Sequence, residues 1–130
     1  MLGYVTIGAL DVEKSLPFWD AVFAPIGFER RFVDPESGWA GYGSPGEMST
    51  AYICPPYDGQ AARGGNGIMV GFKAPSEAAV RDAHAAGLAA GGLDEGGPGG
   101  RPEGSKDFYG AYLRDATGNK ICIYCTPAAA

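Results

Sequence analysis

Residues 4–28 read YVTIGALDVEKSLPFWDAVFAPIGF, and residues 68–92 read IMVGFKAPSEAAVRDAHAAGLAAGG. Each begins with a short alternation, passes a capping residue and continues into a helical pattern. In the first, Val5 and Ile7 alternate with Tyr4, Thr6 and Gly8, which predicts a strand with one buried face. Asp11 reads as a helix N-cap, because its carboxylate can accept a backbone N–H of the first turn. Val12, Leu16, Trp19, Val22 and Phe23 then follow at helical spacing on one apolar stripe. Pro17 interrupts it: either it costs a hydrogen bond and bends the helix, or the first turn is loose and Ser15 caps the regular part. Gly27 suits the left-handed position that ends a helix. In the second stretch Val70 and Phe72 share a strand face, Ser76 caps, Glu77 favours the positive helix start, and Gly91 and Gly92 stop the helix.

The two stretches are in register. Tyr4 and Met69, Asp11 and Ser76, and Gly27 and Gly92 are each 65 residues apart in a chain of 130. Each half is expected to be strand–helix–three strands. In the first half, strands over 29–33, 38–43 and 49–54 are separated by the turn strings DPESG and GSPGE. In the second, strands surround 108–114 and 120–125, joined by the turn DATGN. Seven of the 22 glycines lie between Gly91 and Gly104, so the glycine-rich segment 94–107 is expected to be one loop in an otherwise periodic, folded chain. The expectation is one α+β domain over 1–130: module 1 over about 1–57, a linker over about 58–66, and module 2 over about 67–126, with TPAAA a frayed tail.

Charge narrows the partners. A formal net charge of −5 without a Lys/Arg stripe disfavours nucleic acid and anionic membranes. No 18 apolar residues run together, and MLGYVTIG lacks a basic start followed by an apolar stretch. Three cysteines, an odd number, suit reduced thiols, and the expected compartment is the cytoplasm.

These strings, with YLRDATGNKICIYC (112–125), resemble the glyoxalase/bleomycin-resistance/ring-cleaving-dioxygenase superfamily, the vicinal oxygen chelate proteins. The resemblance implies two βαβββ modules forming a cupped mixed sheet around a small-molecule pocket, helices on the outer face, and a homodimer. In metal-using members of that family one divalent ion is held by residues on the first and last strands of each module. Carried over, those slots fall on Tyr4, on Met69, on Cys122 and near Tyr52. The set offers neither imidazole nor carboxylate, so the resemblance breaks at the metal: no cofactor is expected, and a divalent ion would enter only if the slots lie elsewhere.

Strand alternation supports a pocket reading of the same residues. Tyr4 and Thr6 share one face of the first strand, while Cys122 and Tyr124 oppose Ile121, Ile123 and Cys125 on the last. Cys122 and Cys125 therefore leave opposite faces, so their C-x-x-C spacing is not a zinc or redox pair. The resemblance further implies that the segment carrying Arg101, Lys106, Tyr109 and Tyr112 borders the cup entrance, with Arg101 and Lys106 as partners for an anionic group. Trp39 is open between core, cup and dimer seam. His84, the one histidine, lies near the sheet-facing stripe of the second helix and reads as structural. Three functions stay in view: a metal-free small-molecule-binding protein like the bleomycin-resistance branch; a lyase, isomerase or dioxygenase of the glyoxalase type, including a metal-independent one; and a non-catalytic dimerising scaffold.

Overall fold

The computed structural model describes residues 1–127. Of the expected frayed tail, residues 128–130 lie outside the described chain. Module 1 runs β1 (Val5–Gly8), α1 (Val12–Phe23), a short 3-10 turn (Ala24–Ile26), β2 (Glu29–Asp34), β3 (Trp39–Gly43) and β4 (Ala51–Cys54). Module 2 runs β5 (Val70–Lys73), α2 (Glu77–Ala89), β6 (Leu93–Gly100), β7 (Tyr109–Arg114) and β8 (Lys120–Cys125). Each builds a four-stranded mixed sheet, in the orders β1-β4-β3-β2 and β5-β8-β7-β6. The first strand is parallel to the last in both modules, and the rest are antiparallel. The two sheets do not join into one: β1 and β5 are edges of separate sheets.

Local chemistry fixes the helices. Asp11 caps α1 by accepting the Lys14 N–H at 3.1 Å, and Ser76 caps α2 by accepting the Ala79 N–H at 3.1 Å. Pro17 lies inside α1 without ending it, and Ser15 does not cap, its hydroxyl donating to the Val12 carbonyl at 2.6 Å. The carbonyl that Pro17 leaves unpaired belongs to Glu13, an exposed residue, so water can satisfy it. Gly27 closes the 3-10 turn at φ 87°, but the matching left-handed residue in module 2 is Gly91 at φ 100°, not Gly92. The repeat slips by one residue there because the three-residue turn Ala24–Ile26 separates α1 from Gly27, whereas Ala90 alone separates α2 from Gly91.

Both helices pack on the aliphatic faces of the sheets and on each other. Ile7, Ala40, Tyr42 and Ile53 from module 1 and Phe72, Leu113, Ile121 and Ile123 from module 2 share one core with Trp19, Val22, Phe23 and Val80. The helix crossing depends on Gly87: a Cβ there would lie 2.7 Å from Leu113 and 2.8 Å from Val22. Phe18, outside the expected stripe, is buried because it covers Gly87 of α2 and Gly92 just beyond it.

The turn before β8 ties the modules together. Buried Asp115 accepts the N–H groups of Gly118 and Asn119 and the Asn119 side-chain amide at 2.8–2.9 Å. That amide also donates to the Gly8 carbonyl at 2.8 Å, and the Leu10 N–H donates to Thr117 Oγ1 at 3.0 Å.

The glycine-rich segment departs from the expected loop. Residues 93–100 form an edge strand, β6, paired to β7 with irregularities between Asp94 and Gly96 and between Gly96 and Gly99. Glycines accommodate these breaks without side chains to misplace, so composition hides a strand that backbone pairing with β7 supplies.

Candidate functional site

With the helices on one side, each sheet turns its other face outward, and strand parity decides what stands there. In module 1, Thr6 on β1 is in register with Tyr52 on β4; in module 2, Gly71 on β5 is in register with Cys122 on β8. Thr6 and Gly71 are 65 residues apart, so Tyr52 and Cys122 occupy equivalent positions of the two modules.

On module 1 the face is aromatic. Tyr52 is its centre, with Tyr4 packed edge-to-face at 5.4 Å, Trp39 at 5.7 Å and Phe32 at 6.2 Å between ring centroids. Tyr4 is 54% exposed and Phe32 39%, so the cluster is ordered by ring–ring contact yet open to solvent. Trp39 thus belongs to this face, not to the core. A groove of about 640 Å³ continues from it, between Thr6, Trp39, Pro56, Tyr57 and Arg63.

On module 2 the face is mixed. Tyr124 stacks on Phe108 with ring centroids 5.3 Å apart and planes 9° from parallel. Tyr112 stands directly across from Cys122, with the Arg101 guanidinium 5.3 Å and the Lys120 ammonium 5.8 Å from its ring centroid. Cys122 is only 2% exposed. Burial raises its thiol pKa, while the Tyr112 hydroxyl and the charges of Arg101 and Lys120 pull it the other way without prevailing. The Cys122 thiol is therefore held neutral, the opposite of an activated nucleophile. Met69 precedes β5 and is 45% exposed.

Two of the expected site residues stand elsewhere. Tyr109 shares the helix-facing side of β7 with Ala111 and Leu113, packs against the core, and accepts from Arg81 Nη1 at 3.4 Å. Lys106 lines a groove with Tyr109 and with Glu77 at the start of α2. The expected pairing of Arg101 with Lys106 is thus replaced by Arg101 with Lys120, because Lys106 turns toward Glu77 and Tyr109 while Arg101 and Phe108 stay on the outward face. Parity along 109–114 placed Tyr112 opposite Tyr109, a signal present in the sequence. Lys120 shares the parity of Cys122 and Tyr124 on the last strand, a signal also present in the sequence, whereas Phe32, Trp39 and Phe108 join the face through contacts across strands.

His84 is buried in α2, its Nε2 3.0 Å from Asp94 Oδ1. The Gly96 N–H, and secondarily His84, hold Asp94 below the usual carboxylate range. This pair braces α2 against the start of β6.

A divalent ion of the kind the fold family uses would need hard or borderline donors converging on one point. Tyr4, Tyr52, Met69 and Cys122 supply two phenols, a thioether and a neutral thiol, and the two phenols are packed on each other. Among the described residues no three His, Cys, Asp or Glu side chains converge on a metal position. The residues at the slots do not fit the ion.

No family model matches the chain, and no curated protein matches it. Solved structures do. A glyoxalase/bleomycin resistance protein from Albidiferax ferrireducens is 38% identical over 95% of this chain and 97% of its own, with a TM-score of 0.79. A glyoxalase-related enzyme from Fulvimarina pelagi and a glyoxalase/bleomycin resistance protein/dioxygenase family enzyme from Burkholderia phytofirmans share the fold at 20% and 21% identity. They cover 98% and 96% of this chain and 88% and 98% of their own, with TM-scores of 0.71 and 0.70. Among the described residues no helix is long and apolar enough to cross a membrane.

Proposed function

The chain belongs to the glyoxalase/bleomycin resistance protein/dioxygenase superfamily, and on that premise we propose that it binds a planar small organic molecule on its concave face without a metal ion. The observation that carries this reading is the Tyr4–Tyr52 pair. Two positions that would hold an ion carry phenol rings packed edge-to-face, and Trp39 and Phe32 extend them into an aromatic shelf. Such a shelf offers ring faces and edges to a flat ligand, with hydroxyl tips to orient it. Cys122, buried and kept neutral, lines this surface without acting as a nucleophile. In this reading the protein works as a homodimer, in which a partner covers part of the exposed aromatic surface, and it acts by binding rather than by turnover.

The test is a thermal-shift screen of planar aromatic compounds with and without a chelator. A ligand at 100 times its Kd should add roughly 2.7 kcal/mol of stability. Chelator should leave that shift unchanged, and Tyr52→Ala should cut it by roughly half or more. A shift that needs added divalent ion would overturn the metal-free reading.

A further inference from the structure

The net charge of −5 suggests a cationic ligand, but the concave face of module 2 says otherwise. Arg101 and Lys120 both lie against the Tyr112 ring, and neither forms an ion pair among the described residues. Their neighbour Arg114 on β7 is neutralised by Glu95. Two uncompensated cations at one ring outweigh distant carboxylates, which salt screens over roughly 8–10 Å.

Arg101 is held in place. Its Nη2 donates to the Gly97 carbonyl at 2.9 Å and its Nη1 to the Gly100 carbonyl at 3.1 Å. A guanidinium carries five N–H donors, so about three remain for a ligand. The glycines of β6 make this placement possible. At Gly96, φ is +155° and a Cβ would lie 2.9 Å from Tyr112 and 3.3 Å from Arg101; at Gly99 it would lie 3.1 Å from Arg101. The composition that resembles a loop is thus the bed on which the guanidinium and the ring meet.

Lys120 connects this point to module 1. With Thr6, Ile68 and Asn119 it lines a crevice of about 90 Å³ between the modules, and Thr6 is in register with Tyr52. The line from Arg101 through Tyr112 and Lys120 to Thr6 therefore ends at the aromatic shelf.

We propose that Arg101 and Lys120, set around Tyr112, receive the anionic group of the ligand, and that the ligand class is a planar aromatic acid whose ring lies toward Tyr52. This assignment rests on the binding reading above. A carboxylate here accepts charge-assisted hydrogen bonds, whereas a neutral or cationic analogue leaves both cations uncompensated.

The experiment is isothermal titration calorimetry at low ionic strength with 2-naphthoate, 2-naphthamide and 2-naphthylmethylammonium as probes. The acid should bind roughly tenfold or more tightly than the amide, and the ammonium weakest. The Arg101→Gln/Lys120→Gln variant should lose the preference and bind acid and amide with equal affinity, and Tyr52→Ala should weaken both equally. Equal affinity for acid and amide in the unaltered protein, or a preference that survives the double substitution, would overturn the anion site and leave the aromatic shelf standing. No binding by any of the three would overturn both.

Discussion

At the middle of module 1's concave face Thr6 is in register with Tyr52, and at the matching point of module 2 Gly71 is in register with Cys122. On the helix side of the same strands the modules agree: Ile7 and Ile53 in one, Phe72 and Ile123 in the other, all buried in a common core. The two modules thus agree on the helix-facing side and differ on the outward face proposed to bind. Among the described residues, no cation lies over the aromatic rings of module 1, while module 2 shows glycine, a neutral thiol and two cations against one ring. Substitutions on the helix side should therefore cost stability, and those on the concave side should cost binding.

The largest break in that contrast is expected at Gly87→Leu. Its side chain would enter Val22 and Leu113 where the helices cross, with a loss of about 3 kcal/mol in urea unfolding. Asp115→Ala should come next. It removes the acceptor of three hydrogen bonds in the turn that reaches Gly8 and leaves the half-buried Asn119 N–H without a partner, and a loss of roughly 2 kcal/mol should appear in the same measurement. Tyr52→Ala reverses the balance: stability should fall by only about 1 kcal/mol, the scale of its ring–ring contacts, while affinity for a planar ligand falls at least roughly tenfold. If stability fell more than affinity there, the two-face account would fail.

The smallest effect concerns the thiols. Burial raises Cys54, Cys122 and Cys125 above their ordinary 9.0. The folded chain keeps protons that the unfolded chain releases, so this contribution is complete below pH 9 and declines as pH rises through it. Unfolding free energy followed from pH 8 to 10.5 should slope downward, and Cys54→Ala should make the slope shallower. A flat profile would mean that the thiols are not desolvated.

Much of the frame was legible in the residues. Asp11 and Ser76 announce both helices, the 65-residue offset announces two modules, and alternation on the last strand separates Cys122 from Cys125. These are local signals, set by neighbours along the chain. What was hidden depends on distant neighbours. β6 exists because β7 pairs with it, not because DEGGPGG favours a strand. Phe18 is buried because Gly87 of α2 and Gly92 just beyond it lie beneath it. The site divides the same way: Tyr4, Cys122 and Lys120 follow from alternation along their strands and Tyr52 from the resemblance, whereas Phe32 and Trp39 enter through register. Tyr109 drops away by its parity on β7, and Lys106 because it turns toward Glu77.

The claim that the concave face binds an organic molecule without metal is tested most directly by native mass spectrometry. The untagged protein should be purified without chelator from metal-replete cells. The account predicts a species free of divalent ion, with or without a small organic adduct that dissociates on activation and is lost in Tyr52→Ala. One divalent ion per chain, retained through buffer exchange and absent from Cys122→Ala, would contradict it.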